Sequence, residues 1–102
     1  MTQVRTNASA IKVLRVYKAL AGHALHGISN GELATALKES PSTITRALHT
    51  LIAEGLVQKL DSGRYAHSIK TLQIAQKHAN EMASASDRIA EVNARVMAGA
   101  HS

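Results

Sequence analysis

Apolar residues recur at helical spacing from Ser9 to about Ala24, where Val13, Leu14, Val16, Tyr17, Leu20 and Ala21 fall on one side of a wheel drawn at 100° per residue. Their arc is about 160° wide, broader than the about 100° stripe of a helix that buries one face. Lys12, Arg15 and Lys18 take the opposite side at spacings i, i+3 and i+6. Gly22 and Gly27 then punctuate the chain, and Leu25 to Ile28 reads as a short extended piece. Ser29, with Glu32 after it, has the form of a capping box and predicts a helix from Asn30 to about Lys38 with Leu33, Ala34 and Leu37 inward. Ser40 followed by Pro41 starts another after a short turn. That helix, Pro41 to Glu54, sorts cleanly: Ile44, Ala47, Leu48, Leu51 and Ile52 on one side, Ser42, Thr43, Thr45, Arg46, His49 and Thr50 on the other. Gly55 follows as a C-terminal cap. Leu56 to Leu60 and Arg64 to Ser68 alternate as strands do, joined through Asp61-Ser62-Gly63 in a tight hairpin.

From Ile69 to about Gly99 the chain is alanine-rich and free of proline, which predicts one long helix or two. Leu72, Ala79, Ser86, Asn93 and Ala100 form one line of an imperfect heptad, and Ala75, Met82, Ile89 and Val96 the next. Ser84 and Ser86 before Asp87 mark a place where it would break and a second helix would be capped. This face packs on another molecule, packs back on the chain, or stays solvated.

The order helix, helix, turn, helix, hairpin is that of a winged helix-turn-helix: mainly α, a three-helix core plus a small β-wing, followed by the C-terminal helix or pair of helices. The predicted organisation is an N-terminal flexible arm over 1–8, a DNA-binding module over 9–68 and a helical oligomerisation segment over 69–102.

One hundred and two residues bound the chain to a modest core. Twelve Lys and Arg against seven Asp and Glu give a net charge of +5, which favours a polyanionic partner. Residues 1–68 hold eight basic and four acidic groups, and 69–102 hold four and three, so the positive field sits on the module. No apolar run approaches the roughly 18 to 20 residues that span a bilayer, and no signal-peptide pattern opens the chain. The expected location is cytoplasmic, in bacterial cytosol or nucleoid, or in host cytoplasm if the gene is carried by a phage. The chain has no cysteine, and its only large aromatic residues are Tyr17 and Tyr65, so stacking platforms for single strands are scarce and duplex DNA is the better ligand.

The helix over 41–54 carries the strongest candidate chemistry, set against the reading of an ordinary polar face. Arg46 presents a guanidinium that pairs with both acceptors of guanine in the major groove. Ser42, Thr43 and Thr45 suit phosphate or base contacts near the helix N-terminus, and His49 and Thr50 extend the footprint. On the wing, Lys59, Ser62 and Arg64 are candidates for the minor groove or phosphates, with Asp61 weakening the local field. Arg5, Lys12, Arg15, Lys18 and Ser29 are candidates for backbone contacts. Val13, Val16 and Leu20 on the first helix, and Leu72, Ala75, Ala79, Met82, Ile89 and Val96 on the last, are expected to form a dimer interface. The six histidines are scattered and lack a supporting Asp, Glu or Cys cluster, so no metal site or cofactor is expected. No nucleophile, base and orienting group are gathered, and the chain is not expected to be an enzyme.

Residues 9 to 75 resemble the DNA-binding domain of IclR-type transcriptional regulators: SAIKVLRVYKALA, GISNGELATAL, SPSTITRALHTLIAEGLVQK and SGRYAHSIKTLQIA fall in the expected order. The resemblance implies that Ser42, Thr43, Thr45, Arg46 and His49 match recognition-helix positions and that Arg64 lies at the wing. It departs after Tyr65, where Ala-His stands in place of the Arg or Val with Leu-Gly common in that family. The large effector-binding domain that normally follows is also missing, so no small-molecule effector is expected. The function that results is a sequence-specific double-stranded DNA-binding regulator, a small homodimeric repressor acting by promoter occlusion. The alternatives are a winged-helix protein-interaction module that inhibits a host regulator or polymerase, and a metal-responsive regulator.

Overall fold

The computed structural model describes residues 4–100, so the first three residues of the expected arm, and His101 and Ser102, lie outside it. Four helices and a hairpin follow in order: α1 (Ala8–Ala19), α2 (Asn30–Leu37), α3 (Pro41–Ala53), β1 (Val57–Lys59), β2 (Tyr65–His67) and α4 (Ile69–Ala100). The chain divides into two compact units between Thr71 and Leu72, so the first turn of α4 belongs with the module.

Helix starts follow their capping chemistry. The side chain of Asn7 accepts from the Ala10 amide, Ser29 from that of Glu32 and Ser40 from that of Thr43, with Pro41 in the first turn of α3. α1 therefore begins at Ala8, inside the stretch expected as an arm. It ends at Ala19 rather than about Ala24, because the chain turns through Leu20 and through Gly22, whose φ is +86°. α2 ends at Leu37, since Lys38 closes it in the left-handed region at φ 56°. The hairpin is antiparallel, pairing Val57 with His67, Gln58 with Ala66 and Lys59 with Tyr65, so each strand is shorter than its alternation suggested. Of the extended piece expected over 25–28, only Ile28 joins the sheet, as an isolated bridge to Tyr65. Gly27 makes that approach possible: a Cβ there would sit 2.8 Å from the Tyr65 carbonyl oxygen.

The core closes beneath α3. Ile44, Ala47, Leu48 and Leu51 meet Val16 and Leu20 of the α1 region, Leu33 and Ala34 of α2, Ile28, and Val57 and Tyr65 of the wing. Leu20, Leu33, Ile44 and Leu48 are fully buried, each worth about 1.5–3 kcal/mol in transfer from water. This corrects the first-helix interface: Val16 and Leu20 fill the module's own core and have no surface for a partner chain, and Val13 is packed against that core. The breadth of the α1 arc is accounted for by Leu14, which is 57% exposed. Ile52, expected inward, is 36% exposed at the rim.

Below the core, Tyr17 ties α1 to the wing and to the first turn of α4. Its ring lies 4.8 Å from that of His67, its carbonyl is 2.8 Å from His67 Nε2, and its hydroxyl donates to Thr71 Oγ1, which donates to the Leu56 carbonyl. α4 itself is one uninterrupted helix, with no break at Ser84 to Asp87. At 1.5 Å per residue it is about 48 Å long. Residues 72–99 are all exposed, including Leu72, Met82, Ile89, Val92 and Val96.

Candidate nucleic-acid interface

The outer side of α3 is a narrow polar face on a fully anchored helix. Ser42, Arg46, His49 and Ala53 lie within an arc of about 60° directed away from the core, and all are exposed. No carboxylate occurs from Pro41 to Ala53, and among the described residues the Arg46 guanidinium has no hydrogen-bond or ion-pair partner. A rigid helix presenting an unpaired guanidinium between short polar side chains can enter a major groove and offer a bidentate donor to guanine.

The two flanks of α3 differ. Toward α2, the Asn30 amide donates to Thr45 Oγ1 at 2.8 Å and to the Pro41 carbonyl, and Thr45 Oγ1 donates to the same carbonyl. Thr45 is therefore half-buried at the α2–α3 seam, and its hydroxyl is already engaged. Sequence reasoning misses Asn30 because its partner lies fifteen residues along the chain, beyond any local pattern. Toward α1, a cleft of about 240 Å³ opens between the helices, lined by Ser9, Lys12 and Val13 on one side and Thr43, Arg46, Ala47 and Thr50 on the other. Lys12 reaches the Glu39 carboxylate at 3.7 Å. Arg15 and Lys18 lie about 60° and 120° further round α1 and do not line this cleft. Thr50 Oγ1 bonds back to the Arg46 carbonyl, and Ser40 Oγ lies between Ser42 and Thr43.

Two of the expected contact residues, Arg64 and Ser29, are engaged within the module. Arg64 does not project from the hairpin: its guanidinium meets Glu32 Oε1 at 2.7 Å and donates to the Gly27 and His26 carbonyls. It fastens the wing to the chain before α2. The Arg64 guanidinium first, and the Ser29 hydroxyl with it, hold the Glu32 carboxyl below the ordinary carboxylate range. Ser29 is likewise occupied, accepting from the Glu32 amide and donating to its carboxylate. The Ser62 hydroxyl accepts from the Arg64 amide. Lys59 is exposed, with Nζ 5.8 Å from the Tyr65 ring centroid. Arg5 is exposed before α1.

The IclR helix-turn-helix domain matches residues 9–61, more than half of the chain. The chain belongs to this family. The IclR helix-turn-helix is a DNA-binding domain of transcription regulators. No curated protein matches the chain. Among solved structures it is similar to CymR (YrzC), described as the global cysteine regulator of B. subtilis, at 20% identity and a TM-score of 0.56, over 64% of this chain and 52% of that one. It therefore spans about half of that regulator's length. It is also similar to a mutant form of ZitR from Lactococcus lactis, at 17% identity and a TM-score of 0.40, over 90% of this chain and 66% of that one. Only the first alignment is close enough to speak for the fold, which is a winged helix. Among the described residues no group of three or more His, Cys, Asp or Glu side chains is arranged to hold a metal ion, and no helix is long and apolar enough to cross a membrane.

Proposed function

We propose that this IclR-type module is a small, sequence-specific transcription repressor that docks α3 in the major groove of duplex DNA and acts by covering a promoter. The observation that carries this reading is the outward face of α3: Ser42, Arg46 and His49 together, no carboxylate, and the opposite side of the helix locked in the core. Arg46 is the base reader. Ser42, Thr43, His49 and Thr50 contact the groove edge and its phosphates, while Thr45 acts through Asn30 to set the helix against α2. Lys59 and Ser62 of the wing, with Arg5, Arg15 and Lys18, supply further positive or polar contacts that carry no sequence information.

The regulator works as a homodimer joined through α4. Leu72, Ala75, Ala79, Met82, Ile89 and Val96 lie along one side of that helix, and Val92 widens the apolar surface. Two copies present two α3 helices to paired half-sites. The protein acts in the cytoplasm and needs neither a cofactor nor a small-molecule effector to bind.

Fluorescence anisotropy on duplex DNA with rising salt tests the reading. Affinity falls steeply with salt, with a logarithmic slope of about −0.9 per phosphate engaged. Arg46→Ala costs about 1–3 kcal/mol on the preferred duplex and relaxes one base preference. Equal binding of wild type and Arg46→Ala to preferred and random duplexes removes Arg46 as the reader. Absence of salt-dependent DNA binding removes the function and favours protein interaction.

A further inference from the structure

The cleft between α1 and α3 brings together groups from helices that are distant in sequence. Lys12 and Ser9 face Thr43, Arg46 and Thr50 across about 240 Å³, over the small apolar side chains Val13 and Ala47. Two cations and the hydroxyls of Ser9 and Thr43 around an open cleft are the donor set of an oxyanion seat, since charged donors form the stronger hydrogen bonds to phosphate, while the Thr50 hydroxyl donates to the Arg46 carbonyl. No carboxylate lines it, yet one stands at its edge: Glu39 holds Lys12 Nζ at 3.7 Å, and both side chains are partly exposed. Such a partly exposed pair shifts an equilibrium by no more than about fivefold and is readily exchanged for a better anion.

Position relative to the reading face identifies the anion. A helix about 10–12 Å across fills a major groove about 12 Å wide, so one sugar-phosphate strand runs along each flank. The α2 flank of α3 is closed by Asn30 and Thr45, whereas the α1 flank is this cleft. Arg46 belongs to both the cleft and the outward face, so an anion seated here lies beside the bases that Arg46 reaches.

We propose that the α1–α3 cleft seats one phosphodiester of the DNA backbone, held chiefly by Lys12, and that Glu39 restrains Lys12 until DNA displaces it. This rests on the DNA-binding reading of α3 and adds the strand contact that fixes its register. Glu39 thus acts as a brake: removing its charge strengthens binding, the reverse of what loss of a structural ion pair would do.

Single methylphosphonate substitutions along a preferred duplex, bound by wild type, Lys12→Gln, Lys12→Arg and Glu39→Gln, test the proposal, with thermal melts showing that each variant folds. One linkage is expected to weaken wild type about tenfold when neutralised. The same substitution leaves Lys12→Gln unchanged, and Lys12→Arg restores the loss. Glu39→Gln tightens binding about two- to fivefold and steepens its salt dependence. If wild type binds DNA but no linkage loses its effect in Lys12→Gln, or if Glu39→Gln fails to tighten binding, the seat is overturned while the reading face stands. If wild type binds no duplex, both fall. Inorganic phosphate is the second arm: should it perturb the Ser9 and Thr43 amide resonances and not compete with duplex, the cleft takes a free anion and the backbone assignment is overturned.

Discussion

α3 and α4 both carry apolar residues at helical spacing, and they meet opposite fates. In α3 the apolar side is closed by α1, α2 and the wing, leaving four residues buried and a sharply divided polar face. In α4 beyond Thr71 every residue through Gly99 is exposed, although Leu72, Met82, Ile89 and Val96 are as hydrophobic as anything in the core. Periodicity alone therefore says that a helix has a preferred side; it does not say whether the partner of that side lies in the same chain. The polar side of α3 is informative because its apolar side is satisfied. The apolar side of α4 is informative for the opposite reason, and it motivates the proposed dimer.

Substitutions in the two helices separate most widely in stability. Leu48→Ala empties a fully buried site under α3 and should lower the unfolding free energy of the module by about 2–5 kcal/mol in urea titration. Ile89→Ala should leave the module's unfolding unchanged at high dilution. A comparable loss from Ile89→Ala in the monomer would break the distinction. Next comes association: Ile89→Asp places a charge on the α4 seam and should convert the dimer to monomer in sedimentation velocity while the circular dichroism of the module persists. A dimer that survives Ile89→Asp and Met82→Asp together does not use α4.

Two smaller effects are confined to the module. Lys38 holds a left-handed φ of 56°, where glycine has no Cβ conflict, so Lys38→Gly should raise stability by about 1 kcal/mol. An unchanged or lowered unfolding midpoint would mean that no strain is stored there. The weakest is acid sensitivity at Arg64–Glu32. Glu32 has its carboxyl lowered by Arg64, so its contribution is present above the ordinary carboxylate pKa of about 4.3 and is lost as pH falls through the lower folded value. Urea midpoints should fall on acidification through that range, and Glu32→Gln should flatten that part of the profile. An identical profile in the variant would assign the acid sensitivity to other groups.

How much of this is legible before folding depends on how local the signal is. The starts of α2 and α3 stand in the sequence as Ser29 with Glu32 and Ser40 with Pro41, because a cap and its amide are two or three residues apart. The polar row of α3 is legible for the same reason: a wheel needs only spacing. The end of α1 is hidden because its apolar pattern runs through Leu20, which is buried but lies past the last helical turn. Ser84 to Asp87 offers a competing cap that helix continuity overrides. The engagements of Arg64 with Glu32, Thr45 with Asn30 and Lys12 with Glu39 join positions that only the fold brings together. For that reason the wing and backbone candidates change most, and Thr45 turns to the α2–α3 seam, while Ser42, Arg46, His49 and Thr50 stay on the surface.

The role of α3 is decided by selecting bound sequences from a random duplex pool, in parallel with wild type and Arg46→Ala. Wild type should enrich a motif of two half-sites with a fixed spacing, and Arg46→Ala should lose preference at one guanine in each half while keeping the rest. No enriched motif with wild type, or the same motif at the same strength with Arg46→Ala, would mean that α3 is not the surface that reads DNA.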